Sequence, residues 1–102
     1  MTLPNGYKTK TTFIQDFRIA DVFGIKAVKD TFKRAFNEWK TNIEYVTELA
    51  IAMNTLCWYH NDKGNSQLSE LYSDLYYKVQ DYIYEDGNFT EEERDYYFNV
   101  TD

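Results

Sequence analysis

The chain has 102 residues, of which 43% are hydrophobic and 19% aromatic, enough for one folded domain with a real core, which excludes general disorder. The net charge is −6 and unevenly divided: residues 1–40 carry eight bases and four acids, whereas residues 41–102 carry three bases and thirteen acids. A predominantly acidic surface repels nucleic acids and anionic lipids, so neither is expected as a direct partner.

The composition also predicts a location. Cys57 is the single cysteine, which excludes an internal disulfide and suits a reducing cytosol. No run of eighteen apolar residues is present, and the first residues lack the basic and apolar stretches of a secretory signal. We therefore expect a cytoplasmic protein with no membrane span.

The N-terminal segment has no helical pattern. Tyr7, Thr9, Thr11 and Phe13 alternate with polar residues, as in a short strand, but no second strand of similar quality is present to pair with it. We therefore expect residues 1–14 to form an extended arm lying on the helices. Residues 15–102 are predicted to form a single helical domain.

Helical periodicity begins after this arm. Asp16 is placed to cap a short first helix that ends near Phe23 and Gly24. A second helix is predicted from residue 25 to residue 40, because apolar residues recur there at intervals of three and four. These residues are Ile25, Val28, Phe32, Ala35, Phe36 and Trp39.

Thr41 and Glu44 have the spacing of a capping box and predict the start of a third helix. The polar run 61–65 ends it. Its main apolar stripe consists of Val46, Leu49, Ala50, Met53, Leu56 and Cys57.

Ser66 is placed to cap a fourth helix, which ends at the polar run 85–88. Thr90 and Glu93 form a second capping box, which predicts a short fifth helix from residue 91 to about residue 99. Short loops between long helices imply antiparallel neighbours. The predicted fold is therefore all-α, a small antiparallel bundle of four to five helices. The apolar residues of the fourth helix are Leu68, Leu71, Tyr72, Leu75, Val79, Tyr82 and Ile83.

A series of short motifs between residues 12 and 50 is similar to small proteins encoded on phages and conjugative elements of gut and Gram-positive bacteria. The Thr101-Asp102 ending matches as well. The resemblance implies a setting, namely mobile-element cargo acting inside a bacterium, and it transfers no functional residue. The matching motifs are Thr12-Phe13, Asp16-Phe17, Ile19-Ala20, Phe23-Gly24, Asp30-Thr31-Phe32, Arg34-Ala35-Phe36, Glu38-Trp39-Lys40 and Thr47-Glu48-Leu49.

Metal-site patterns are incomplete in this sequence. Cys57 and His60 are three residues apart and Asp62 follows, but no second Cys or His completes a zinc site of four ligands. We expect a buried thiol and a histidine at the edge of the core.

A calcium loop with Gly87 at its sixth position would have Glu93 at its twelfth, yet Tyr82 and Tyr84 would stand where oxygen ligands are needed. We therefore predict no metal site at this position and interpret Glu93 as a helix cap.

Catalytic signatures are also missing. The sequence contains no nucleophile elbow, no phosphate-binding glycine loop and no histidine-based triad. We therefore predict no catalytic residues, no cofactor and no enzymatic activity.

Charged residues line two helices. Glu70, Asp74, Asp81 and Glu85 fall within about 60° of one another on the fourth helix, opposite its apolar stripe. They are interpreted either as an ordinary solvated face or as mimicry of a nucleic-acid backbone. Mimicry requires acids from several helices, because four charges over about 22 Å are sparse beside one charge per ~1.7 Å of duplex.

The second helix has a basic edge with Asn37 among the lysines. The edge is either a solvated border of the apolar seam or a surface for phosphate or for the acidic half of another copy or partner. Its lysines are Lys26, Lys29, Lys33 and Lys40.

The third helix carries the clearest interface signal. Ile51 and Trp58 are seven residues apart, opposite the main stripe, with Thr47, Asn54 and Thr55 around them. A helix that is apolar on two sides is either central in its bundle or in contact with a partner. The tyrosines add contact area suited to an interface, although any single one is explained by packing at the bundle ends. They are Tyr76, Tyr77, Tyr84, Tyr96 and Tyr97.

Two functional hypotheses follow. The first is a non-enzymatic accessory protein that binds another protein, in this setting a host defence nuclease or its regulator. Its predicted contacts are Ile51, Asn54, Trp58, Glu70, Asp74, Asp81 and Glu85. The alternative is a self-associating structural or regulatory protein in which Ile51 and Trp58 close a symmetric dimer.

Overall fold

Five α-helices follow one another in the computed structural model, which describes residues 9–101 and has no β-strand in that range. The predicted small all-α bundle of four to five helices is confirmed, with five helices in the described range. The helices are α1 (Lys10–Phe23), α2 (Ile25–Trp39), α3 (Ile43–Asp62), α4 (Ser66–Tyr84) and α5 (Glu91–Thr101).

The central element of the bundle is α3, which contributes nine buried residues and packs against each of the other helices. The first and third helices run in the same direction. Phe13 near the start of α1 contacts Tyr45 near the start of α3, and Asp21 near the end of α1 bonds to His60 near the end of α3. This parallel pair agrees with the antiparallel succession of neighbouring helices that the short loops predict.

The first helix begins earlier than the sequence indicates. Residues 10–14 are helical, so the prediction of an extended arm is wrong there, and residues 1–8 lie outside the described residues. Asp16 is inside α1 and does not cap it; Thr9 is the N-cap residue. The physical reason is Phe13, which packs edge-on against Tyr45 with ring centroids 5.1 Å apart. Helical structure from Lys10 onward puts Phe13 on the same buried side as Phe17.

Gly24 ends α1 and starts α2, as predicted. Its φ of 106° and ψ of −173° lie in a region that is essentially restricted to glycine. This conformation lets its N–H reach the carbonyls of Ala20 and Asp21 while the chain reverses into the next helix.

The predicted caps of α3 and α4 are each one residue out of place. Asn42, not Thr41, caps α3 by accepting a hydrogen bond from the N–H of Tyr45 at 3.1 Å. Asn65, not Ser66, caps α4 by accepting from the N–H of Leu68 at 3.2 Å. Asparagine is as good an N-cap as serine, so the pattern alone did not separate adjacent candidates.

The second capping box is confirmed at the start of α5. The N–H of Thr90 donates to Glu93 Oε1 at 2.9 Å, and the N–H of Glu93 donates to Thr90 Oγ1 at 3.2 Å. This reciprocal pair sets the position of a helix of eleven residues that ends at Thr101, two residues beyond the predicted end.

The cap of α3 is open to a direct test. Asn42→Ala removes the acceptor for the Tyr45 N–H, so we expect it to lower the free energy of unfolding by about 1 kcal/mol. Thr41→Ala at the neighbouring, exposed position is the matched control and is expected to change the stability by less than about 0.5 kcal/mol. Urea denaturation of both variants measures the difference. An equal or larger loss in Thr41→Ala would restore Thr41 as the cap.

Candidate interaction surfaces

The Ile51–Trp58 line on α3 is covered at one end and open at the other. Thr47 is only 1% exposed and Ile51 is half-buried, whereas Asn54 and Thr55 are exposed and Trp58 is 61% exposed. The Thr47 hydroxyl is satisfied within the helix, where it donates to the Ile43 carbonyl at 2.7 Å. The sequence left open whether this side faces the bundle or a partner; its first part faces the bundle and its last part faces outward.

The fifth helix covers the buried end of this line. Burial of Tyr96 on α5 raises its pKa, and the nearby carboxylates of Glu44 and Glu48 raise it further. These carboxylates belong to the N-terminal half of α3, so α5 packs beside that half, whereas Asn54, Thr55 and Trp58 on the outer side of the C-terminal half remain exposed. The patch formed by Asn54, Thr55 and Trp58, called here the α3 patch, therefore lies beyond the reach of that contact.

Three of the four acidic residues of α4 lie along its border with α2. Glu70, Asp74, Asp81 and Glu85 are all exposed. However, Asp74 lines a groove between α2 and α4, and Asp81 and Glu85 lie beside Phe36 of α2. Negative and positive side chains therefore meet along the border between these helices, because the basic edge of α2 lines the same groove.

The tyrosines divide between surface and core. Tyr77, Tyr84 and Tyr96 are exposed, whereas Tyr97 is buried and its hydroxyl donates to Gln80 Oε1 at 3.0 Å. Burial and the neighbouring Tyr76 hydroxyl raise the pKa of Tyr97 far above its usual value. Tyr97 therefore anchors α5 to α4 and does not belong to an outer surface.

Asp21, His60 and Tyr72 form a buried polar network that the sequence analysis did not assemble. The Nε2 atom of His60 lies 2.7 Å from Asp21 Oδ2, and the Tyr72 hydroxyl donates to Asp21 Oδ1. The rings of His60 and Tyr72 stack with centroids 5.5 Å apart. Burial of Tyr72 raises its pKa, and the Asp21 carboxylate raises it further, so the phenol stays protonated. These contacts join α1, α3 and α4.

The sequence indicates only part of the Asp21–His60–Tyr72 network. His60 stands on the apolar side of α3, and a histidine at the core edge was expected there. Asp21 lies about 40° from Phe17 on the wheel of α1, so a carboxylate stands close to the buried side of that helix. The pairing itself needs the register between α1 and α3, which no local pattern contains.

The other ligand-type side chains are engaged elsewhere. Cys57 Sγ lies 3.6 Å from Ser69 Oγ, and Ser69 donates to the Cys57 carbonyl at 2.9 Å, so this pair joins α3 to α4. Between residues 9 and 101, no three His, Cys, Asp or Glu side chains are grouped so that they could hold a metal ion.

The most exposed aliphatic and aromatic side chains stand at the end of α1, which the sequence analysis did not identify. Val22 is 81% exposed and Phe23 is 77% exposed, with Ile19 one turn earlier. Ile19 and Phe23 border a groove of about 630 Å³ between α1 and α2, together with Ala27 of α2. The sequence pattern does not single them out. Val22 and Phe23 end a short helix, and apolar residues at a helix end are usually explained by the hydrophobic contact that accompanies a C-cap.

The fold is a small all-α bundle with three open surfaces: the α3 patch, the α1–α2 groove and the α2–α4 groove. None of the helices described is long and apolar enough to cross a membrane. The chain matches no protein-family model, no curated protein and no solved structure.

Proposed function

We propose that this protein is a non-enzymatic accessory protein that acts by binding another protein through the α3 patch. The observation that carries the proposal is the 61% exposure of Trp58 on a helix whose other apolar residues are mostly buried. Tryptophan surrounded by polar residues is a frequent anchor of protein interfaces, and Asn54 and Thr55 supply that polar border.

The Asp21–His60–Tyr72 network supports the non-enzymatic part of the proposal. A catalytic histidine and carboxylate need access to a substrate in a concave site. Here the three side chains bond to one another, and none of them lines the α1–α2 groove, the α2–α4 groove or the depression beside Phe36, Asp81 and Glu85. Their arrangement is that of a structural connection between helices.

The proposed setting is the bacterial cytoplasm, and the proposed target is a host defence nuclease or its regulator. This part rests on the resemblance to proteins of phages and conjugative elements. The net charge of −6 agrees with it, because nucleic-acid-binding proteins present basic surfaces that an acidic partner approaches rapidly. Glu70, Asp74, Asp81 and Glu85 are assigned to this electrostatic attraction, and Trp58 to the anchoring contact.

The proposal is tested by replacing the anchor. Trp58→Ala is expected to weaken binding to the partner about 30-fold, the usual effect of removing a hot-spot tryptophan. Phe98→Ala on α5, which truncates another exposed aromatic, is the matched control and is expected to bind like the wild type. The measurement is affinity capture from a host that carries an active defence system, followed by titration of the captured protein. Equal capture by all three proteins would contradict the role of Trp58.

The acidic residues are tested separately. Changing Glu70, Asp74, Asp81 and Glu85 to lysine is expected to slow association with the captured partner, most strongly at low ionic strength. Surface plasmon resonance at two salt concentrations measures the rates. If the association rate and the affinity stay unaltered, the electrostatic part of the proposal fails while the anchoring part stands.

Self-association is the second candidate, because Ile51 and Trp58 lie about 10 Å apart on one line of α3 and such a line can pair with itself across a two-fold axis. Sedimentation velocity distinguishes the candidates. A dimer that Trp58→Ala dissociates would favour self-association, and a strict monomer at high concentration would exclude it.

A further inference from the structure

The groove between α2 and α4 has the dimensions of a binding site for a helix. Its volume is about 790 Å³. One wall runs along α2 from Lys29 to Lys40, the residue that caps the end of α2, and the other runs along α4 from Leu71 to Tyr82. Each wall spans eleven residue steps, or about 17 Å, which equals three turns of an α-helix. The length exceeds what a small anion needs and matches a short amphipathic helix.

The floor of this groove is apolar. Phe36 and Tyr82 are both half-buried, and their rings meet edge-to-face across the groove with centroids 4.9 Å apart. Phe32 and Leu75 are buried beneath, and half-buried Leu71 lies on the α4 wall. A partner helix laid over this floor would bury apolar side chains of its own on these residues.

The rim of the groove is positively charged although the chain is acidic. Four exposed lysines line it, against the two carboxylates of Asp30 and Asp74. Asp30 lies 3.9 Å from Lys26, which stands outside the groove. Within the described residues, no ion pair involves any of the four groove lysines. The lysines are Lys29, Lys33, Lys40 and Lys78.

We infer that the α2–α4 groove binds an amphipathic helix of about three turns from a partner protein, with apolar residues on one face and Asp or Glu on its flanks. The apolar floor takes the apolar face, and the lysines pair with the flanking carboxylates. A nucleic acid fits less well for two reasons. The groove contains no arginine that could form a bidentate contact with a phosphate. The rings of Phe36 and Tyr82 pack edge-to-face against each other, so their faces are not free to stack with bases.

This inference goes beyond the proposed function and does not depend on the anchoring role of Trp58. Asp74 lines the groove and is also one of the acidic contacts proposed above, so the two surfaces are compared through Trp58 and the groove lysines. The α3 patch and the four groove lysines share no residue, so the loss of Trp58 is expected to leave binding in the groove unchanged. Failure of one surface in its test therefore leaves the other standing.

The probe is a display library of helical peptides of three to four turns, randomised on all faces and selected on the wild-type protein. We expect enriched peptides with an apolar stripe and flanking Asp or Glu. For the best of them, fluorescence anisotropy should show about tenfold weaker binding to Lys33→Glu and to Lys78→Glu, and weaker binding as the salt concentration rises.

Lys26→Glu is the matched control, since this lysine is on the same helix as Lys33 but stands outside the groove with 93% side-chain exposure. We expect it, and Trp58→Ala, to bind the peptide like the wild type. All these side chains are exposed, so circular dichroism should show intact folds.

Several results would overturn the inference. They are a selection without enriched peptides, enriched peptides that lack acidic residues, and binding that Lys33→Glu leaves intact. Tighter lysine-dependent binding of a single-stranded oligonucleotide would assign the groove to nucleic acid instead. Self-association that Lys33→Glu abolishes would assign it to a second copy of this chain.

Discussion

Replacing Asp21 with alanine is expected to lower the free energy of unfolding by about 3 kcal/mol, a drop of roughly 15 °C in Tm for a domain of this size. Asp21 accepts hydrogen bonds from His60 Nε2 and from the Tyr72 hydroxyl. Its removal leaves the His60 ring nitrogen without its partner and leaves the Tyr72 hydroxyl only the Phe17 carbonyl, 3.4 Å away. A buried polar group that loses its partner costs about 1–3 kcal/mol. The loss is large because these bonds hold α1 against both α3 and α4.

Urea denaturation of three variants tests this expectation. Asp30→Ala is the matched control, because Asp30 is an exposed aspartate in a surface pair with Lys26 and is expected to contribute less than about 0.5 kcal/mol. Tyr72→Phe keeps the Asp21–His60 contact and is expected to cost about 1–2 kcal/mol. If Asp21→Ala lost no more stability than Asp30→Ala, the network would not stabilise the fold.

Alkaline solution is expected to unfold the protein cooperatively, because the pKa values of three core tyrosines are raised well above the ordinary 10.0. Burial is the main cause for Tyr45, Tyr72 and Tyr97. The carboxylate of Glu38 adds to it at Tyr45, whose hydroxyl donates to the Ala35 carbonyl at 2.9 Å. These tyrosines stabilise the folded state only while they are protonated.

The direction of the pH dependence follows from these pKa values. Below pH 10 the tyrosines are protonated in both states, so their contribution to stability is fully present. Above pH 10 the unfolded chain releases their protons and the folded chain does not, so stability falls by about 1.4 kcal/mol per pH unit for each group. Three groups give about 4 kcal/mol per pH unit. A domain stability of about 5–15 kcal/mol would then be lost one to four units above pH 10.

Circular dichroism and the absorbance of the tyrosinate anion, followed along the same alkaline titration, measure this transition. The absorbance step of the buried tyrosines is expected to coincide with the loss of helix. Tyr97→Phe is expected to reduce the slope by about one proton, whereas Tyr77→Phe, at an exposed position, should leave it unchanged. Full ionisation of all tyrosines while the helices persist would contradict the prediction.

The four later helices were predictable because their signals are local. Apolar residues at intervals of three and four placed α2 to within one residue of its observed end, and the Thr90–Glu93 capping box placed the start of α5. The start of α1 was not predictable in this way. The alternation from Tyr7 to Phe13 indicated an extended segment, and only the contact of Phe13 with Tyr45, 32 residues away in the chain, shows why α1 begins at Lys10.

The same distinction between local and tertiary signals applies to the candidate interaction surfaces. Trp58 was identified from its position opposite the main stripe of α3. Thr47 lies on the same side of that helix but is buried, and no sequence pattern predicts this difference in exposure. The difference arises because α5 packs beside the N-terminal half of α3, where Tyr96 lies near Glu44 and Glu48, while Trp58 stays exposed. Likewise, the acids of α4 and the lysines of α2 were each visible as one face of one helix, and the groove they share exists only once those helices are side by side.

Periodicity, capping residues and turn residues thus determined that this chain forms an all-α bundle of four to five helices, with an apolar stripe on the second, third and fourth, because these signals act between residues a few positions apart. The tertiary structure decided which polar groups meet in the core, as in Asp21, His60 and Tyr72, and which charged faces border one another. Those outcomes depend on the order in which the helices pack and on their register. Local sequence patterns do not specify either, because the residues that meet are tens of positions apart in the chain.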